Sequence, residues 1–296
     1  MEYLKKPIWN RYSREELGQL VVQAPDEDTR RKVLKNWDTV AKPIDSLGRF
    51  ETLTAQIGAV IGTDKMDISR KAVIIMCSDN GIVEEGVSQS GQEVTTIVAE
   101  LMAKNQSAVG RMAASIGADT FPVDIGINNK VTIPGLVQRK ISYGTKNFRK
   151  EPAMTEQEAI RAIAAGIDMV SYCKEGGYKI LATGELGMGN TTTSSAIAAA
   201  LLKCNASEVT GRGVGLSDEG FFRKQQVIAE AIEKYDLYTG SFSNCGRAGY
   251  CGSCRCLYWW RYLSCARCVG RCYKHGVSYS GRTDCTWYQR LFNSLS

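Results

Sequence analysis

A chain of 296 residues, 44% of them hydrophobic, holds enough apolar side chains for a sizeable core in one large or two small domains. Its formal charge of +6 is unevenly placed: from Gly240 onward eight basic residues face one acid, Asp284, so the preceding residues carry 29 Lys and Arg against 30 Asp and Glu. The basic net charge therefore says nothing about nucleic-acid affinity of the body, and no nucleic-acid partner is expected; the only histidine, His275, lies in the tail, which excludes Ser–His–Asp triads, histidine metal sites and histidine bases from the first 239 residues.

MEYLKKPIWNRYSREELGQL contains no apolar run of signal-peptide type, and no segment approaches the roughly 18 apolar residues that span a bilayer. With Cys77, Cys173 and Cys204 scattered through the body, a soluble protein of a reducing compartment, the cytoplasm, is expected. Residues 1–41 read as polar helix with Leu17, Leu20 and Val21 as a short apolar face. Pro43 in KPIDSLGRFE breaks the chain; Asp45 or Ser46 is expected to cap a helix that runs to about Ile61, with Phe50, Leu53, Ile57, Val60 and Ile61 on one face. KAVIIMC, Lys71 to Cys77, has the length and apolarity of a strand buried on both faces of a parallel sheet.

The loop SDNGIVEEGVSQSGQEVT follows that strand directly, where ligand groups of open α/β sheets sit, and offers Asp79, Ser88 and Gln92 as polar candidates. A helix from about Glu93 to Ser115 and a strand from Ala118 to Ile125 are predicted next. Residues 128–153 are long and irregular, and their SYGTKNF reads as a lid or binding loop. Thr155 and Glu158 form a capping box for a helix whose buried face is Ile160, Ile163, Ala164, Ile167 and Val170.

KILATGELGMGNTTTSSAIAAALL, Lys179 to Leu202, carries the strongest chemical signal. It predicts a strand (Lys179 to Thr183), a glycine-rich turn (Gly184 to Gly189) and a helix opening near Asn190, with Asn, Thr and Ser oxygens as caps. Gly187 and Gly189 lack a Cβ and would let a ligand approach the backbone. The helix start offers unpaired N–H groups and a positive dipole end, and Thr191 to Ser195 add hydroxyls, so the stretch reads as a phosphate cradle. It is neither a Walker A loop nor a complete dinucleotide fingerprint, since no Gly-Lys-Ser/Thr follows and Thr192 stands at the third glycine. A second glycine-rich loop, Gly211 to Gly215 with Arg212, precedes Ser217, which caps a helix from Asp218 to about Tyr235 carrying Lys224 in its second turn. The alternation of strands and helices predicts an α/β fold: a doubly wound, mostly parallel sheet with flanking helices and a small helical subdomain from the amino terminus.

KPIDSLGRFE, SDNGIVEEGVSQSGQEVT, SYGTKNFRKEPAMT, GELGMGNTTTSSAIAAALL and TGRGVGLSDEG, in this order, resemble the nicotinate-nucleotide–dimethylbenzimidazole phosphoribosyltransferase family of cobalamin synthesis over residues 8–238. The resemblance implies transfer of phosphoribose from nicotinate mononucleotide to 5,6-dimethylbenzimidazole, giving α-ribazole 5′-phosphate and nicotinate, with no cofactor, no metal and a homodimeric assembly. It implies that Gly187, Gly189, Asn190, Thr191, Thr192 and Arg212 bind phosphate and ribose, that Asp79, Ser88 and Gln92 face the benzimidazole, and that Glu185 and Lys224 act at the reacting centre.

The likeness stops near Tyr238, and the expected division is a phosphoribosyltransferase-like domain over 1–239 and an unrelated tail over 240–296. Members run on through a glycine-rich GG-x-D-I-x-G segment to a general-base glutamate in a Gly-Glu-Gly context, and nothing after Gly240 matches either. The Cys-, Arg- and Trp-rich tail reads as a shifted frame, which makes the fold incomplete at its carboxyl end and activity uncertain: a catalytically impaired member that still binds nucleotide is the alternative. Two rival readings rest on the tail, a zinc site at Cys251, Cys254, Cys265 and Cys268, and base stacking by Tyr258, Trp259, Trp260 and Tyr262.

Overall fold

The computed structural model describes residues 12–18 and 24–237. The amino-terminal helices are α1 (Arg14–Gly18), α2 (Glu27–Asp38) and α3 (Arg49–Ile61). Asp26 caps α2, its Oδ1 accepting from the amides of Asp28 at 3.0 Å and Thr29 at 3.3 Å. α2 and α3 pair through Trp37, whose Nε1 donates to Thr54 Oγ1 at 2.8 Å and whose ring meets Phe50 edge-on. This hairpin is the expected helical subdomain, but α3 starts later than expected. Gly48 is its N-cap, with φ of 53°, and neither Asp45 nor Ser46 caps it. A Lys42–Glu51 ion pair at 2.9 Å closes the loop instead. The residues α3 buries are Glu51, Ala55, Gly58 and Ala59, while Phe50 of the expected apolar face stays exposed. Leu20 and Val21, and the whole tail with its CxxC pairs and aromatic run, lie outside the described residues.

KAVIIMCS forms β1 (Lys71–Ser78), as its apolar run predicts. A 3-10 turn (Gly81–Glu85) leads to α4 (Glu93–Ala103) and α5 (Ala108–Ser115), where one helix was expected. The break has a local cause. Asn105 takes φ of 53°, and the Ser107 hydroxyl accepts from the Gly110 amide at 3.2 Å, so Asn-Gln-Ser ends one helix and caps the next. β2 (Ala118–Gly126), the short β3 (Val137–Gln138), α6 (Glu156–Glu175), β4 (Ile180–Leu186), α7 (Asn190–Leu202), α8 (Ala206–Val209) and α9 (Asp218–Lys234) complete the described chain. The capping box at Thr155–Glu158 and the Ser217 cap are both formed.

The strands run parallel in the order β3-β2-β1-β4. Alternate residues of β1 feed two cores, as a strand covered on both faces requires. Ala72, Ile74 and Met76 pack with Val123, Ile125 and the apolar faces of α6, α7 and α9; Ile75 and Cys77 pack on the other face with Ala99 of α4. Each fully buried Ile or Val here contributes about 1.5–3 kcal/mol. Residues 139–148, within the stretch expected as a lid or binding loop, are bonded to the core. Arg139 Nε donates to Asp168 Oδ2 at 2.8 Å inside the core, and the Gly144 and Thr145 amides donate to Gly126 and Asp79 carbonyls at 2.9 and 3.0 Å.

Candidate phosphate and nucleoside site

β1 is flanked by β2 on one side and by β4 on the other, so the strand order changes direction between β1 and β4, where ligands of open α/β sheets sit beyond the carboxyl ends. β4 runs beyond its expected end at Thr183, to Leu186. Glu185 therefore stands near the end of a strand, in register with Met76, and not in a flexible turn.

The glycines that follow serve packing. Both Gly187 and Gly189 are buried. A Cβ on Gly187 would overlap the Ser78 carbonyl oxygen, and one on Gly189 would lie 2.8 Å from Val83 Cγ2. Their bareness lets the β4–α7 turn press against the end of β1, which sets the helix start in place. The residue that staples this contact is Asn80, whose Nδ2 donates to the Met188 carbonyl at 3.0 Å and whose Oδ1 accepts from the Thr193 hydroxyl at 3.0 Å. Asn80 was not among the sequence candidates; its position between Asp79 and the 3-10 turn was the available signal.

Gly189, at φ 83°, is the N-cap of α7, and no side chain caps it, contrary to the expected Asn, Thr or Ser oxygen. Among the hydroxyls, Thr192 is fully buried, Thr193 serves Asn80, Ser194 donates to the Asn190 carbonyl at 2.7 Å and Ser195 to the Val209 carbonyl at 3.1 Å. Thr191 alone of the five is exposed. Its Oγ1 accepts from Lys224 Nζ at 2.8 Å, and the same amine donates to the Gly211 carbonyl at 2.9 Å. Lys224 has no exposed surface, and burial pushes its pKa from the ordinary 10.5 down to about 8. A cation held out of water at a helix start favours an arriving anion.

The 211–216 loop closes over this amine. Gly213, at φ 61°, brings its backbone so near that a Cβ would lie 3.0 Å from Thr191 Oγ1 and 3.6 Å from Lys224 Nζ. Arg212 shapes the loop: it pairs with Asp218, donates to the Leu216 carbonyl at 3.0 Å and stacks on Phe221. Gln89 donates to the Gly215 carbonyl and ties this loop to the one after β1.

Of the benzimidazole candidates, Ser88 is half-buried beside Gln89. Gln92 bridges, its Nε2 donating to the Asn80 carbonyl at 3.2 Å and its Oε1 accepting from Asn128 Nδ2 at 2.9 Å. Asp79 is buried and accepts from the Asn128 amide at 2.8 Å. Burial pushes its pKa up, against the Thr95 hydroxyl, the Asn128 amide and Lys140, which favour its charge. The structure thus links Glu185, Asn190, Thr191 and the buried Lys224 at the start of α7, with Arg212 in the adjoining loop, and buries Asp79 and the Thr192 side chain.

A parallel sheet whose order reverses between β1 and β4, with helices on both faces, is an α/β architecture of the doubly wound class. A family model described as Phosphoribosyltransferase matches residues 22–244. The nicotinate-nucleotide–dimethylbenzimidazole phosphoribosyltransferase of Clostridium tetani is 42% identical over 212 residues, covering 72% of this chain and 59% of that protein. Its namesake in Ruminiclostridium cellulolyticum is 41% identical over 206 residues, covering 70% and 58%. The crystal structure of CobT from Thermus thermophilus superposes with a TM-score of 0.69 at 28% identity, covering 82% of this chain and 80% of that one. The chain belongs to the nicotinate-nucleotide–dimethylbenzimidazole phosphoribosyltransferase family. It spans about three fifths of the length of the curated relatives it matches.

Proposed function

We propose that this chain binds nicotinate mononucleotide and transfers its phosphoribose to 5,6-dimethylbenzimidazole, forming α-ribazole 5′-phosphate and nicotinate. The observation that carries the proposal is Lys224, a buried amine that donates to two neutral oxygens, the Thr191 hydroxyl and the Gly211 carbonyl, at the first turn of α7. Lys224, the Thr191 hydroxyl and amide, and the Gly213 backbone anchor the 5′-phosphate. Asn80 and Gln89 hold the three loops that surround it.

The chemistry asks for positioning more than for acid catalysis. Nicotinate leaves as a neutral ring nitrogen from a cationic pyridinium and needs no proton. Positive charge gathers on the ribose as the bond breaks, and benzimidazole attacks from the opposite face, which inverts the anomeric carbon from β to α. Glu185, fixed at the end of β4, is placed to face that charge and to take the proton that benzimidazole loses. Ser88 lines the benzimidazole side, with Gln92 and Asp79 shaping its loop. Small water-soluble substrates suit a cytoplasmic enzyme, and no helix among the described residues is long and apolar enough to cross a membrane.

The test is direct. The full purified chain is incubated with both substrates and the products are separated by liquid chromatography with mass detection. α-Ribazole 5′-phosphate formed in proportion to enzyme, and lost in Glu185→Gln, supports the transfer. Nucleotide binding with no product refutes it and identifies a binding-only member.

A further inference from the structure

Asn190 links the start of α7 to the carboxylate at the end of β4. Its Oδ1 accepts from the Thr191 amide at 2.7 Å, and its Nδ2 donates to a Glu185 carboxylate oxygen. The neighbouring amides are turned inward, that of Asn190 to the Gly187 carbonyl at 3.2 Å and that of Thr192 to the Gly189 carbonyl at 3.0 Å. The Thr191 amide is therefore the donor of this turn that faces the rim beside Lys224, and a side chain of the same protein already satisfies it. The helix does not depend on that bond, because its N-cap is Gly189.

We propose that the Asn190 side chain is an internal stand-in for a phosphate oxygen, which a sugar phosphate displaces on binding, and that the displaced amide then resets Glu185. In this structure one carboxamide bonds both the Thr191 amide and the Glu185 carboxylate. When a phosphate oxygen takes the Thr191 amide, Oδ1 loses its donor, the carboxamide turns, and its grip on Glu185 changes with it. The seat and the reacting carboxylate are thus coupled through one residue, and nucleotide occupancy prepares the site for benzimidazole. Asn190 is in this account a positioning residue that competes with the ligand, not a contact that adds to its affinity. The inference rests on the proposed function.

The test is calorimetric titration of the full chain with nicotinate mononucleotide, and separately with inorganic phosphate, for the parent, Asn190→Ala and Asn190→Asp, alongside turnover. Removing the competitor in Asn190→Ala is expected to tighten nucleotide binding about fivefold, the worth of one net hydrogen bond, while kcat falls because Glu185 has lost its tether. Asn190→Asp places a fixed negative charge on the seat and is expected to loosen binding at least about tenfold. KM and kcat falling together in Asn190→Ala is a signature that neither a ligand contact nor a purely structural role produces. Affinity in Asn190→Ala equal to or weaker than the parent's overturns the coupling while leaving the functional reading intact. Failure of the parent to bind the nucleotide at all overturns both. Melting temperatures of the three proteins verify that the comparison is between folded states.

Discussion

Replacing Lys224 by Met separates what this residue does for the fold from what it does for the ligand. A lysine whose pKa falls from 10.5 to about 8 on folding carries a cost of about 3 kcal/mol at neutral pH. Removing the amine recovers that cost and strands the Thr191 hydroxyl oxygen and the Gly211 carbonyl, at about 1 kcal/mol each. Methionine fills nearly the same volume, so the empty variant is expected to be more stable by about 1 kcal/mol, or roughly 2–4 °C in melting temperature. The advantage depends on pH. The unfolded lysine binds its proton more tightly than the folded one, so the parent gains stability between pH 8 and 10.5, and the variant's lead is expected to disappear across that interval. Affinity moves the other way: losing a charged donor to phosphate is expected to weaken nicotinate mononucleotide binding about 10- to 100-fold. Melts at pH 7.5 and 9.5 and calorimetry at pH 7.5 read both quantities. A variant that is less stable at pH 7.5 and binds nucleotide like the parent refutes the reasoning.

Other expectations follow from the same geometry. Nucleotide affinity of the parent should decline as pH rises through about 8, where the Lys224 amine loses its proton, and the Lys224→Met variant should show a flat profile over that range by calorimetry. Gly187→Ala drives a methyl group into the Ser78 carbonyl and should lower stability by about 1–3 kcal/mol in denaturant titration; an unchanged midpoint contradicts the packing account of this glycine. Asn80→Ala frees the Met188 carbonyl and the Thr193 hydroxyl, and is expected to raise KM for the nucleotide but to leave KM for dimethylbenzimidazole within about twofold. The reason for that split is that Gln92 bonds to the Asn80 backbone carbonyl, which alanine retains. Equal rises in both constants would count against it.

The parallel sheet was legible in the sequence because β1 is a continuous apolar run and α6 and α9 carry explicit caps at Thr155 and Ser217. The break between α4 and α5 was hidden by an apolar stripe that continues through it, although Ser107 signals a cap. At the site, spacing located the glycine bend and the helix start but missed the packing role of the glycines. Sequence shows that Gly187 and Gly189 lack side chains; only the fold shows that Ser78, Asn80 and Val83 fill the space. Five consecutive hydroxyls looked equivalent in the sequence, and helical geometry turns most of them to the core, leaving Thr191 outside. Spacing alone reads Lys224 as a solvated charge on α9, and only the family resemblance draws it to the site; its burial shows once the 211–216 loop is seen to close over it. The long-range partners Asn80 and Gln89 carry no local pattern and emerge only when three loops meet.

A crystal structure of the full chain grown with nicotinate mononucleotide tests the central claim most directly. The account predicts phosphate oxygens within hydrogen-bond distance of Lys224 Nζ and of the Thr191 amide, with the ribose directed toward Glu185. A nucleotide whose phosphate lies elsewhere, with Lys224 still bonded only to Thr191 and the Gly211 carbonyl, contradicts it.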